Sequence, residues 1–124
     1  MIFILKQKAL PHKGGSYIYG INLNKIESLC NNGLKNLKSF LISAFDNCPN
    51  NLFNSGPRSS QLKIKLNNLN LTEIKNHEIS LLTKESLNKY NNFFRTPHSK
   101  VQMFMLENDK NTIAMEVPLW LYPN

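Results

Sequence analysis

Three histidines give this chain its acid–base chemistry near neutral pH: His12, His77 and His98. His12 stands in Pro11-His12-Lys13-Gly14-Gly15, and His98 in Thr96-Pro97-His98-Ser99-Lys100. Each follows a proline, has a lysine close by, and falls in a stretch that reads as a loop. Two loop histidines and a lysine can support metal-free RNA cleavage. One imidazole would take the proton of a 2′-hydroxyl, the other would protonate the leaving group, and the cation would steady the phosphorane. Nothing in the spacing makes His12 and His98 meet, and surface histidines account for the same pattern. Catalysis therefore ranks third among the functional expectations, and His12 and His98 are its only candidates.

Binding of a polyanion ranks first. Leu62, Ile64 and Leu66 alternate with Lys63, Lys65 and Asn67, so a strand over 61–71 would bury one face and present lysines on the other. Lys6 and Lys8 share a face near the end of another strand, with Lys13 and Arg58 on nearby loops. Tyr17 and Tyr19 alternate along a third strand, where their rings would stack on unpaired bases. Brought together, these eight residues would make a lysine-lined sheet face for nucleic acid, RNA slightly ahead of DNA. A wet face of an ordinary half-buried strand explains the lysines equally well.

The remaining chemistry is sparse. Cys30 and Cys48 lack a CxxC partner or a histidine cluster, so no closed zinc site is expected, and no cofactor is implied. Cys48 falls on an apolar helical stripe, as a small core residue would. Glu107, Asp109 and Glu116 flank the last turn, where a magnesium nuclease would place carboxylates, but a solvated hairpin tip accounts for the first two. His12-Lys13-Gly14-Gly15-Ser16 and Ser55-Gly56-Pro57-Arg58-Ser59-Ser60 resemble phosphate-cradling loops only loosely and match no Walker A spacing. Leu119-Trp120-Leu121-Tyr122 supplies a second-ranked alternative. If exposed, Trp120 and Tyr122 would anchor a non-catalytic interaction module, an inhibitor or assembly factor, on an acidic protein partner.

Composition sets the frame. The chain has 124 residues and a net charge of +7, the size of one domain (1–124) with a field that favours polyanions. Residues 1–26 and 47–72 contain no acid, and six of the eight acids follow residue 72. Asn is abundant, at 19, beside 13 Lys and 2 Arg, a bias that AT-rich codon usage also produces. No apolar run approaches the ~18 residues of a membrane span, and Met1-Ile2-Phe3-Ile4-Leu5 lacks the basic start and cleavage site of an export signal. The expected location is the reducing cytoplasm, with free thiols and no membrane partner.

The elements that would position these groups follow from periodicity. Residues 2–8 and 16–21 read as strands of a hairpin across the Pro11–Gly15 turn. Asn24 would cap a short helix over 25–31, ended by Gly33. Leu34, Leu37, Leu41, Ala44, Phe45 and Cys48 form one helical stripe stopped by Pro49. Asn24 to Asn47, with Gly33 in the turn, are also read against a helix-turn-helix, which the wide apolar stripe of the second helix disfavours. After the 61–71 strand, a weaker strand over 77–82 leads to a helix capped by Thr83 and ended at Thr96-Pro97. Val101–Leu106 reads as a central strand, Asn108–Asn111 as a turn, and 113–119 as the last strand. The fold class is α+β: an antiparallel or mixed sheet of about five to six strands, in ββαββαββ order, with two main helices on one face.

Overall fold

A two-stranded hairpin organises the structure, a computed structural model that describes residues 5–12, 15–53, 69–89 and 96–121. Strand β1 (Leu5–His12) pairs antiparallel with β2 (Gly15–Asn22), in register from Leu5 opposite Asn22 to His12 opposite Gly15. The expected hairpin is present, and β1 runs on through Pro11 because it lies at the sheet edge among the described residues, where a missing N–H is tolerated. Strand β3 is only Ala114–Met115, antiparallel to Ile21 and Gly20. It stops at Glu116, whose φ of 49° lies in the left-handed region, so the backbone turns out of the ladder.

Two helices follow the hairpin. Helix α1 (Leu23–Leu29) is capped by Asn22, whose side-chain oxygen accepts the Lys25 N–H at 3.2 Å. The cap thus falls two residues before the expected Asn24. Asn22 is fully buried and also ties neighbouring elements together: its amide donates to the Leu106 carbonyl at 3.1 Å, and its backbone N–H to Ile113 at 2.9 Å. Helix α1 closes at Cys30, whose N–H donates to the Ile26 carbonyl, three residues before Gly33, the expected stop, which takes φ 77° in the link to the next helix. Helix α2 (Lys35–Asn47) is the expected element, with Leu41 and Ala44 of the stripe buried but Leu34 and Leu37 exposed, and it ends before Pro49. A single 3-10 turn follows at Asn50–Phe53.

The second half is helical where strands are expected. Residues 77–82 fall largely in α3 (Glu78–Lys89), not in a strand. Its start is held by the His77 ring, whose Nδ1 accepts the Ile79 N–H at 3.1 Å, with Glu78 in the first turn. Thr83 is mid-helix, donating back to the Ile79 carbonyl at 2.8 Å, so it caps nothing. Val101–Leu106 lies within α4 (Pro97–Asn108). Thr96 and Pro97 begin this helix; residues 90–95, leading to the expected end of the preceding helix, lie outside the described residues. Thr96 Oγ1 accepts the Ser99 N–H at 3.2 Å, and Pro97 occupies the first turn, where a missing N–H costs nothing. Residues 69–71, the end of the expected basic strand, form no strand and are exposed; 61–68 lie outside the described residues.

The described structure is therefore α+β, with a three-stranded antiparallel sheet and four α-helices in the order ββααααβ. The expected count of five to six strands and the ββαββαββ order are corrected. So is the one-sided packing. Leu10, Tyr19 and Ile21 face α1 and α2 and share a core with Ile26, Leu41 and Ala44. The opposite face meets α4, where Met103 and Leu106 pack with Met115 and Leu5. Gly20 allows that approach. A Cβ there would lie 3.0 Å from Met115 and 3.2 Å from Leu106, tighter than most real contacts, so those side chains would have to shift by a few tenths of an ångström. No helix among the described residues is long and apolar enough to cross a membrane.

Candidate functional site

The turn end of the hairpin and the first turns of α4 line a cleft of about 440 Å³. His12, Ser16 and Tyr17 come from the hairpin, His98, Ser99 and Gln102 from α4, and Glu116 closes the wall beyond β3. The two histidines expected in loops lie instead at the end of β1 and in the first turn of α4, and they line the same cavity.

Each histidine is held by a neighbour. The His12 and Tyr17 rings stack with centroids 4.1 Å apart and planes inclined by 27°. His98 Nε2 lies 3.2 Å from Glu116 Oε1, with the His98 side chain 72% exposed and that of Glu116 only 17%. Glu116 is itself fixed. Its Oε2 accepts the Ile18 backbone N–H at 2.7 Å, and Oε1 also accepts from the Gln102 amide at 3.2 Å. A carboxylate held this way orients an imidazole: when the neutral ring donates Nε2–H to Glu116, Nδ1 carries the lone pair. The left-handed backbone at Glu116 is a local cost of the kind that concentrates at functional sites.

The residues expected on a cationic sheet face are distributed differently. Lys6 is exposed on β1. Lys8 donates to the Phe45 carbonyl in the last turn of α2, where a cation meets the negative end of the helix dipole. Tyr17 lies in the cleft. Tyr19 does not serve a stacking role: it is 0% exposed, its hydroxyl donates to the Leu41 carbonyl, and its ring lies 4.6 Å from that of Phe45. Burial pushes its phenol up to about 12. Lys13, Arg58, Lys63 and Lys65 lie outside the described residues, so the described structure contributes Lys6 and Tyr17 to the expected surface. Several other lysines are engaged elsewhere. Lys25 serves backbone carbonyls, and Lys38 pairs with Glu27 at 2.6 Å.

Trp120 is half-buried against the α2 side of the core, its ring 5.3 Å from Phe40, so packing accounts for it. Leu121 beside it is 91% exposed, and Tyr122 lies outside the described residues. Both thiols are free. Cys48 is half-buried, and desolvation pushes its thiol up against a smaller opposing effect of Lys8, which disfavours a thiolate nucleophile. Among the described residues no three His, Cys, Asp or Glu side chains gather as metal ligands. Glu107, Asp109 and Glu116 do not form a carboxylate cluster; Asp109 accepts from the Thr112 hydroxyl at 2.5 Å instead.

Sequence reasoning leaves Glu116 with no role beside a histidine, gives Ser16 only a place in a loosely phosphate-cradling loop, and assigns no role to Ser99 or Gln102. Glu116 occupies the polar slot of an alternating strand pattern, and nothing local marks it as the residue that leaves the ladder. No family model matches the chain, and comparison with curated proteins and with solved structures finds no match.

Proposed function

We propose that this protein binds single-stranded nucleic acid, RNA in preference to DNA, with the hairpin–α4 cleft as the contact for at least one nucleotide. The observation that carries this reading is the convergence of the His12–Tyr17 stack and His98 in one open cleft of a chain with net charge +7. Planar rings at a cleft mouth suit an unpaired base. The first turn of α4 on the opposite wall, and imidazoles able to protonate, suit the adjoining phosphate. The general excess of lysine supplies long-range attraction.

The test is binding of a mixed-sequence single-stranded RNA, followed by fluorescence anisotropy across a salt series. Tyr17→Ala is expected to weaken binding by about tenfold, the scale of one lost base stack. Lys63→Glu with Lys65→Glu is expected to weaken it further and flatten the salt dependence. Affinity unchanged in both variants ends the proposal.

A second reading, docking on an acidic protein, draws on the exposed Leu119 and Leu121 that flank Trp120. Its check is pull-down of a defined acidic polypeptide by Leu119→Ser/Leu121→Ser protein against wild type. Equal capture by both removes it.

A further inference from the structure

We infer that the same cleft cleaves the RNA it binds, by transfer of the phosphodiester to the neighbouring 2′-hydroxyl. This rests on the binding proposal and adds a reaction to it. The geometry is that of a histidine–carboxylate pair and a second histidine lining one cavity. His98 with Glu116 is one pole, and His12 against Tyr17 is the other.

The assignment of roles follows from the partners. Glu116 accepts the His98 Nε2–H and stabilises positive charge on that ring, so His98 Nδ1 is the base. It removes the 2′-hydroxyl proton as O2′ attacks phosphorus. The P–O5′ bond breaks, and His12, entering as imidazolium, gives its proton to the departing O5′. The products are a 2′,3′-cyclic phosphate on one fragment and a 5′-hydroxyl on the other. His98 ends protonated and His12 neutral, so protons and electron pairs balance with no oxidant or co-reactant. Water then opens the cyclic phosphate with the two roles exchanged, which restores the starting protonation. The rigid mounting of Glu116 on the Ile18 N–H and the Gln102 amide preorganises the base, as an acid–base site requires.

The experiment uses the whole chain with an end-labelled single-stranded RNA in EDTA, beside the same oligonucleotide made with 2′-O-methyl sugars, which binds but lacks the nucleophile. Expected are RNA fragments ending in 2′,3′-cyclic phosphate and an intact 2′-O-methyl strand. The rate against pH should be bell-shaped. In single-turnover assays at saturating protein, His98→Ala and His12→Ala should each slow cleavage roughly 100-fold or more, and Glu116→Gln less. His12→Gln serves as a second variant should His12→Ala disturb the hairpin. Binding without cleavage overturns this inference and leaves the binding proposal standing. Neither binding nor cleavage overturns both. Cleavage that persists in His12→Gln and His98→Ala assigns the activity elsewhere and sinks the cleft mechanism.

Discussion

The carboxylate of Glu116 accepts the backbone N–H of Ile18 at 2.7 Å, filling a place on the β2 edge that a longer β3 would have filled with a carbonyl. One side chain thus ends the strand, satisfies the exposed ladder and faces His98. Glu116→Gln keeps an acceptor oxygen but removes the charge. It is expected to lower stability by about 1–2 kcal/mol, the scale of a charge-assisted hydrogen bond, as measured by urea unfolding. Glu116→Gly relieves the left-handed backbone but loses the whole contact, so it should be no more stable than Glu116→Gln. A Gly variant more stable than wild type would show that the carboxylate contributes less than its backbone strain.

Lys25 holds the end of α4 from a distance. Its ammonium lies 2.5 Å from the Leu106 carbonyl and 2.6 Å from that of Asp109, with Met105 and Thr112 carbonyls at 3.4 and 3.3 Å. These include orphan acceptors of a helix C-terminus, where a cation is favoured. Lys25→Met keeps the aliphatic stem and removes the ammonium from these carbonyls, of which Leu106 keeps the Asn22 amide and Met105 the Asp109 N–H, at a cost of about 2–3 kcal/mol. Hydrogen exchange should place the loss in α4 and the 109–113 turn; uniform loosening elsewhere would contradict the clamp.

How much of this was readable beforehand depends on whether a local signal had one meaning. Gly14-Gly15 between two β-rich runs admits a hairpin and little else, and the α2 stripe ending at Pro49 admits a helix. Met103-Phe104-Met105-Leu106 has no period, because both faces are apolar, so strand and helix read alike. Thr96-Pro97 is ambiguous in the same way, as a proline that cannot extend a helix is well suited to start one. His12 and His98 were identifiable by type, but their shared cleft depends on α4 being a helix on the second face of the sheet. Misreading that one element hid the site. Lys8 and Tyr19 show the converse: alternation placed each on a sheet face correctly, yet could not reveal that α2 covers that face and takes up the ammonium and the phenol.

Tyr19 makes alkaline stability diagnostic. Burial raises its phenol to about 12, against an unfolded value near 10. The folded state therefore holds its proton where the unfolded chain releases it. The contribution is fully present below about pH 10 and is lost as pH rises toward 12. Lys25 runs the other way. Desolvation lowers its folded pKa, so the unfolded state binds more protons near pH 10 and this group alone would raise stability with pH. Tyr19→Phe should lower stability at pH 7 by about 1 kcal/mol, the worth of one hydrogen bond, and flatten the decline above pH 10. An equally steep alkaline decline in Tyr19→Phe would place its cause in other groups.

Trp120 separates the two readings of the C-terminal segment. Its ring packs on Phe40 at the margin of the core that holds Leu41 and Ala44, while Leu119 and Leu121 point away into solvent. Trp120→Ala is expected to destabilise the fold by about 2 kcal/mol, below the range for a fully buried aromatic because one side of the ring remains wet. Leu121→Ala removes no comparable packing and should stay within about 0.5 kcal/mol of wild type. Thermal unfolding of the two variants side by side tests this, and a Phe40→Ala/Trp120→Ala double mutant should cost less than the sum of its parts because the two rings share one contact. Additive losses would mean that the two rings are not coupled, and a neutral Trp120→Ala that the ring contributes nothing to the core and is available to a partner.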